Sequence, residues 1–168
     1  MINKKTLTAI AQSVQDVISK PITDAGYTLW DVEFINEGGA YNLLITIDNA
    51  AGISLCDCET VTRLIDPIID SLDPIEESYF LEVSSPGCER LLRTDAHLEA
   101  YLQKSVLVGL FSPLQEHPEL KKTLRATLVA FDDVSFTLKL KDKDATVVIE
   151  RKKCSTIKAD DFDTVSLL

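Results

Sequence analysis

Residues 80–90, FLEVSSPGCER, set the plan of the whole chain. An apolar strand is cut short by two serines, a proline and a glycine. Pro86 fixes φ and removes a backbone donor, and Gly87 frees the backbone, so the strand cannot continue and the chain must turn. The hydrophobic pattern differs on the two sides of this stop. Helical and strand periods alternate before it, whereas short strands dominate after it. One continuous sheet is therefore excluded, and Ser84, Ser85, Pro86 and Gly87 read as a joint between two folding units.

Upstream, Leu7, Ile10, Val14, Val17 and Ile18 form the stripe of an amphipathic helix over residues 3–25, which Pro21 is expected to kink or end and Gly26 to stop. YTLWDVEFI and AYNLLITID alternate apolar and polar residues around the turn sequence NEGG, the pattern of an antiparallel hairpin. SLCD reads as a capping box, with Ser54 as N-cap and Asp57 in the place of the commoner Glu. Leu55, Cys58, Val61, Leu64, Ile65, Ile68 and Leu72 then give a second helical stripe. Pro67 is expected to kink or break it, at a cost of about 3 kcal/mol in a helix interior. The strand YFLEVS completes an α-β-β-α-β order, which two helices on one sheet face satisfy as a two-layer domain.

Downstream, DAHLEAYLQ reads as a short helix. SVLVGLF, LRATLVAF, SFTLKL and ATVVIE are short strands with turns at Asp132–Asp133 and in the KDKD sequence, and CSTIKAD offers a helical turn and a last pairing. Strands this short with tight turns predict a small, strongly bent barrel. The expected class is α+β, with an N-terminal domain over residues 1–92 and a C-terminal barrel over 93–168.

Hydrophobic residues make up 45% of the 168, enough to build a core, and no apolar run approaches the roughly 20 residues of a membrane span. The start, MINKKTLTAI, reads as a helix and not as a signal peptide, so a cytoplasmic protein is expected. Cys56, Cys58, Cys88 and Cys154 are read as reduced thiols. Neither they nor His97 and His117 fall at zinc-ligand spacing, and no metal or cofactor is expected. The net charge of −10 is uneven, at −9 over residues 1–94 and −1 over 95–168. An acidic chain repels phosphate at long range and suits a basic partner better.

No motif supplies catalytic chemistry. GxSxG, GxxxxGK[ST] and GxGxxG are all missing, and Ser84 and Ser85 have no base at a defined spacing. Two serines closing a strand are turn formers by preference, so no enzyme is expected. Cations gather at Arg90 and Arg93, at Lys121, Lys122 and Arg125, and along Lys139, Lys141, Lys143, Arg151, Lys152 and Lys153. The last group is placed on the final strand pair of the barrel, with Lys139, Lys141 and Lys143 on one face. These residues are either a solvated edge that discourages strand pairing or candidate RNA contacts, and the pattern alone favours the first.

YFLEVSSPGCERLLRTDAHLEAYLQKSVLVGL resembles the ribosome maturation factor RimP family, whose hallmark is E-V-S-S-P-G followed by arginine and leucine. GYTLWDVEFINEGGAYNLLITIDNAAGISLCDCETVTR is similar to the family's hairpin and to its second helix start. Where the family reads Leu-Asp-Arg-Pro-Leu after the joint, this chain has Cys88, Glu89, Arg90, Leu91 and Leu92, keeping the arginine but not the proline. The resemblance implies a KH-like N-terminal domain without the GxxG clamp and an Sm-like or SH3-like small barrel. It further implies a non-enzymatic factor that binds the free small ribosomal subunit or its precursor. The implied partners are a small-subunit ribosomal protein near the decoding centre and small-subunit rRNA. The alternative is a stand-alone RNA-binding module of the Sm-like type. Arg90 is expected either to tie to an acidic neighbour such as Glu82 or Glu89, or to reach RNA.

Overall fold

The computed structural model describes residues 3–114, 120–141 and 145–161. Contacts divide the chain into two compact units between Pro86 and Gly87.

The first unit opens with helix α1 (Lys4–Asp24), whose N-cap Asn3 side chain accepts a hydrogen bond from the Thr6 amide. Strands β1 (Thr28–Glu37) and β2 (Ala40–Asp48) form the expected antiparallel hairpin. Helix α2 (Leu55–Leu72) then crosses over to β3 (Tyr79–Ser84), which pairs parallel to β2 from Tyr41–Tyr79 to Thr46–Ser84. A parallel pair requires such a crossover, and the helix supplies it. Val14, Ile18 and Ile22 of α1, Val61, Ile65 and Ile69 of α2, and Val32, Phe34, Leu43, Ile45 and Ile47 of the sheet bury together in one core.

The capping box forms as the sequence predicts. The Ser54 amide donates to Asp57 Oδ2 at 2.8 Å and the Asp57 amide donates to Ser54 Oγ at 3.3 Å. The Tyr27 hydroxyl donates to Asp57 Oδ1 at 2.7 Å, tying the start of the hairpin to the start of α2. The prolines do not end their helices: α1 runs through Pro21 to Asp24, and α2 runs through Pro67 to Leu72. Packing explains this. Each buried Ile contributes roughly 1.5–3 kcal/mol, and Ile65 and Ile69 flank Pro67 on the core side, so burial outweighs one lost backbone hydrogen bond.

In the second unit, helix α3 (Asp95–Ala100) is capped by Thr94 and precedes β4 (Ser105–Leu110), β5 (Thr123–Phe131), β6 (Ser135–Leu140), β7 (Thr146–Glu150) and β8 (Cys154–Ala159). The Asp132 turn between β5 and β6 is held by its carboxylate, which accepts from the amides of Val134 and Ser135 at 2.8 and 2.7 Å. Those two backbone donors also hold the Asp132 carboxyl below its ordinary range. Two sequence expectations are corrected here. Arg151, Lys152 and Lys153 form a 3₁₀ turn before β8, not part of a strand pair, and the helical turn expected within CSTIKAD therefore lies ahead of it. The expected small, strongly bent barrel is not closed among the described residues. The sheet is open, in the order β7-β6-β5-β4-β8.

The reason the sheet stays open lies at β8, whose second edge is taken by residues 88–92. Leu91 bridges to Lys158, the Leu92 amide donates to Ile157 O at 3.0 Å, and the Ala159 amide donates to Arg90 O at 2.9 Å. The Asp161 amide donates to Cys88 O at 3.2 Å. Residues 88–92 thus lie within the second unit, although the sequence pattern leaves them with the first. Val106, Val108, Ala126, Leu128, Leu138 and Ile149 fill the inward face of the sheet.

Candidate nucleic-acid interface

The outward face of the five-stranded sheet gathers several of the expected cations. Leu107 of β4 lies opposite both Arg125 of β5 and Lys158 of β8, and the Lys141 amide donates to Arg125 O. Lys139 faces Thr127. At this end of the sheet Asp160, which follows β8, is almost wholly buried, with 2% of its side chain exposed. Arg125 Nη2 lies 3.3 Å from Asp160 Oδ1, and Lys141 Nζ lies 3.7 Å from Oδ2. The Ser105 hydroxyl donates to the same Oδ2 at 2.8 Å. One carboxylate thus holds two cations, leaving the cluster with one net positive charge.

Other cations are held in the same way. Arg90 Nε lies 3.7 Å from Asp161 Oδ2, and the Tyr101 hydroxyl also donates to that oxygen. Glu89, named in the sequence reading as a neighbour for Arg90, pairs with Lys158 at 3.4 Å. Lys152 and Lys153 both reach Glu150, at 2.6 and 3.1 Å, and these contacts hold the Glu150 carboxyl below its ordinary range. Arg151 pairs with Asp95 at 3.0 Å and lies over the rings of Phe131 and Phe136. The Arg93 amide donates to Nδ1 of the buried His97 at 3.2 Å. Lys121 and Lys122 are exposed and carry no ion pair among the described residues, while Lys143 and His117 lie outside those residues.

The sequence reading missed Asp160 and Asp161. Two consecutive acids ending the last strand were the signal available for them. Of the joint residues, Ser84 ends β3 opposite Thr46, and Gly87 has φ +67° with open space around its Cα. The glycine is needed for backbone angle and not for room. In the first unit, Asp66, Asp70, Glu76 and Glu77 line an acidic recess beside Tyr79. Burial, and then the charges of Asp70, Asp66 and Asp73, push the Tyr79 hydroxyl pKa up. Among the described residues no cluster of three or more His, Cys, Asp or Glu is placed to hold a metal ion, and no helix is long and apolar enough to cross a membrane.

Residues 17–89 match the family model described as the RimP N-terminal domain. The match spans the hairpin, the capped second helix and the strand that ends at the Ser-Ser-Pro-Gly joint. Residues 17–89 thus carry a RimP N-terminal domain, and through it the chain is similar to the RimP family.

Proposed function

We propose that the chain is a non-enzymatic, cytoplasmic maturation factor that binds the free small ribosomal subunit or its precursor. The match over residues 17–89 carries this reading. In it, the acidic first unit engages a basic ribosomal protein near the decoding centre. The −9 balance of residues 1–94 and the recess lined by Asp66, Asp70, Glu76 and Glu77 support that contact. The second unit, close to neutral, meets small-subunit rRNA through its surface cations, the exposed Lys121 and Lys122 among them. Opposite charge on two surfaces favours one orientation of approach and disfavours wrong partners.

Sedimentation of an extract tests the reading. The protein is expected with free small subunits and not with assembled ribosomes. Its absence from every ribosomal fraction would overturn the proposal. A Lys121→Glu/Lys122→Glu variant should weaken the association and flatten its salt dependence.

A further inference from the structure

The sheet of the first unit has two edges, β1 and β3, and they are built differently. β1 carries a register shift between Leu29 and Asp31, an irregularity of the kind that spoils pairing with a further strand. β3 carries no such device. Its six residues, YFLEVS, contain no lysine, proline or glycine, and its register with β2 runs unbroken from Tyr79 to Ser84. Among the described residues no strand lies on its second edge. The backbone groups of a strand point alternately to its two sides, so every second residue of β3 presents its amide and carbonyl away from β2.

The two faces beside this edge differ in chemistry. Phe80 is 68% exposed on one of them, and the pleat sends Tyr79 and Leu81 to the other, against the helix-covered core. There Tyr79 and Leu81 floor the recess whose walls are Asp66 and Asp70 of α2 and Glu76 and Glu77 of the connection to β3. All four carboxylates are exposed, and none forms an ion pair among the described residues. The second unit treats its acids differently, pairing Asp95, Glu150, Asp160 and Asp161 with its own cations. Like charges gathered beside an unpaired edge repel one another in the free protein and attract a cation from outside.

We propose that the free edge of β3 takes an extended, basic polypeptide segment as a fourth strand. Its backbone pairs with the outward amides and carbonyls of β3. Its lysine or arginine side chains reach the recess on one face, and its apolar side chains lie beside Phe80 on the other. The pleat makes these two rows alternate, so the segment that fits alternates basic and apolar residues. The inference rests on the basic-partner contact of the proposed function and gives that contact a geometry. Charge decides among the occupants. A second copy of the chain brings its own acids to the edge, and the −9 balance of residues 1–94 opposes it. A nucleic-acid strand is repelled by the same four carboxylates. A cationic strand meets neither obstacle, and main-chain pairing supplies its affinity while alternate side chains supply selectivity.

The test uses the full chain and a fluorescein-labelled octapeptide of alternating Lys and Val, read by anisotropy at low ionic strength. Hydrogen exchange followed by NMR should show alternate amides of β3 slowed by the bound peptide and those of β1 unchanged. An analogue N-methylated at every residue keeps the charge but loses its backbone donors, and should bind about tenfold more weakly or worse. Asp66→Asn/Asp70→Asn should weaken the parent peptide by up to about tenfold, the size of two exposed ion pairs. Both changes lie on the exposed side of α2, so folding is not at stake. No binding of the parent peptide, equal binding of the N-methylated analogue, unslowed β3 amides or unchanged affinity in the aspartate variant would each overturn the proposal. So would a dimer in sedimentation velocity that the peptide dissociates, since a second copy would then occupy the edge. If the protein sediments with small subunits while the peptide results fail, the edge inference falls and the proposed function stands. If the peptide results hold and the protein is absent from the subunit fractions, the reverse is true.

Discussion

Replacing Asp160 with asparagine isolates the tie that organises the outward face of the second sheet. The change keeps the side-chain volume, so it adds no cavity. It removes the charge that faces Arg125 at 3.3 Å and Lys141 at 3.7 Å. Exposed ion pairs contribute about 0.2–1 kcal/mol, and breaking a fully buried pair costs about 3–5 kcal/mol. Asp160 is buried, but the Arg125 side chain is 51% exposed and that of Lys141 is 34% exposed, so both cations can rehydrate. The expected loss lies between the limits, about 2 kcal/mol for the cluster. Amide hydrogen exchange at residue 160 reads it directly. That amide donates to Ser105 O, where the segment after β8 meets the start of β4, and its exchange through local opening should quicken roughly 30-fold. The single tryptophan, Trp30, lies in the first unit, so its fluorescence unfolding curve should not move and serves as an internal control. Adding Arg125→Met to Asp160→Asn should cost less than the sum of the two changes. Exchange within twofold of wild type, or strict additivity, would show that the carboxylate does not hold the cations.

Four further outcomes are expected. Pro67→Ala should stabilise the first unit by about 1–3 kcal/mol in urea unfolding followed at Trp30, since it restores a helix hydrogen bond at an exposed site; a loss would mean that the ring packs. Ile65→Ala should cost about 3 kcal/mol in the same assay, and a loss below about 1 kcal/mol would contradict its full burial. The Ser54 hydroxyl, then the Tyr27 hydroxyl and the Ser54 amide, hold the Asp57 carboxyl below its ordinary value of 3.8. A folded value below the unfolded one gives stability that is complete above the ordinary value and lost as pH falls through the folded value. Asp57→Asn should therefore lower stability at neutral pH and flatten its fall in acid, and parallel pH profiles would refute the coupling. Burial pushes the Cys154 thiol up to about 11, while Cys56 is exposed, so iodoacetamide at mildly alkaline pH should label Cys56 first and Cys154 last by mass spectrometry.

The local features of this fold were legible in the sequence, and the features made by distant segments were not. The hairpin, the Ser54–Asp57 box and the α2 stripe follow from period and spacing within a few residues. Pro67 was read too strongly because propensity is local, whereas the burial of Ile65 and Ile69 that outweighs it depends on the sheet. Barrel closure failed as an expectation for a related reason. The second edge of β8 is filled by residues 88–92, from the opposite end of the unit, and no pattern inside either segment announces that pairing. The candidate site shows the same division. The cations are visible as letters, but Asp160 and Asp161 decide which of them are neutralised, and those partners meet only through long-range strand order.

The pairing of residues 88–92 with β8 also bears on how the chain is made. The first unit draws its sheet and core from residues that precede Pro86, so it can complete itself as soon as that segment has emerged during synthesis. The second unit cannot, because its opening segment waits for β8, the last of the described strands in chain order. Until β8 arrives, β4 keeps an unpaired edge and Leu91 and Leu92 lack their partners, which leaves a nascent chain with one finished half and one adhesive half. Contacts that join the two ends of a unit form slowly, so folding of the second half should trail that of the first, and this half is where chaperone capture is expected.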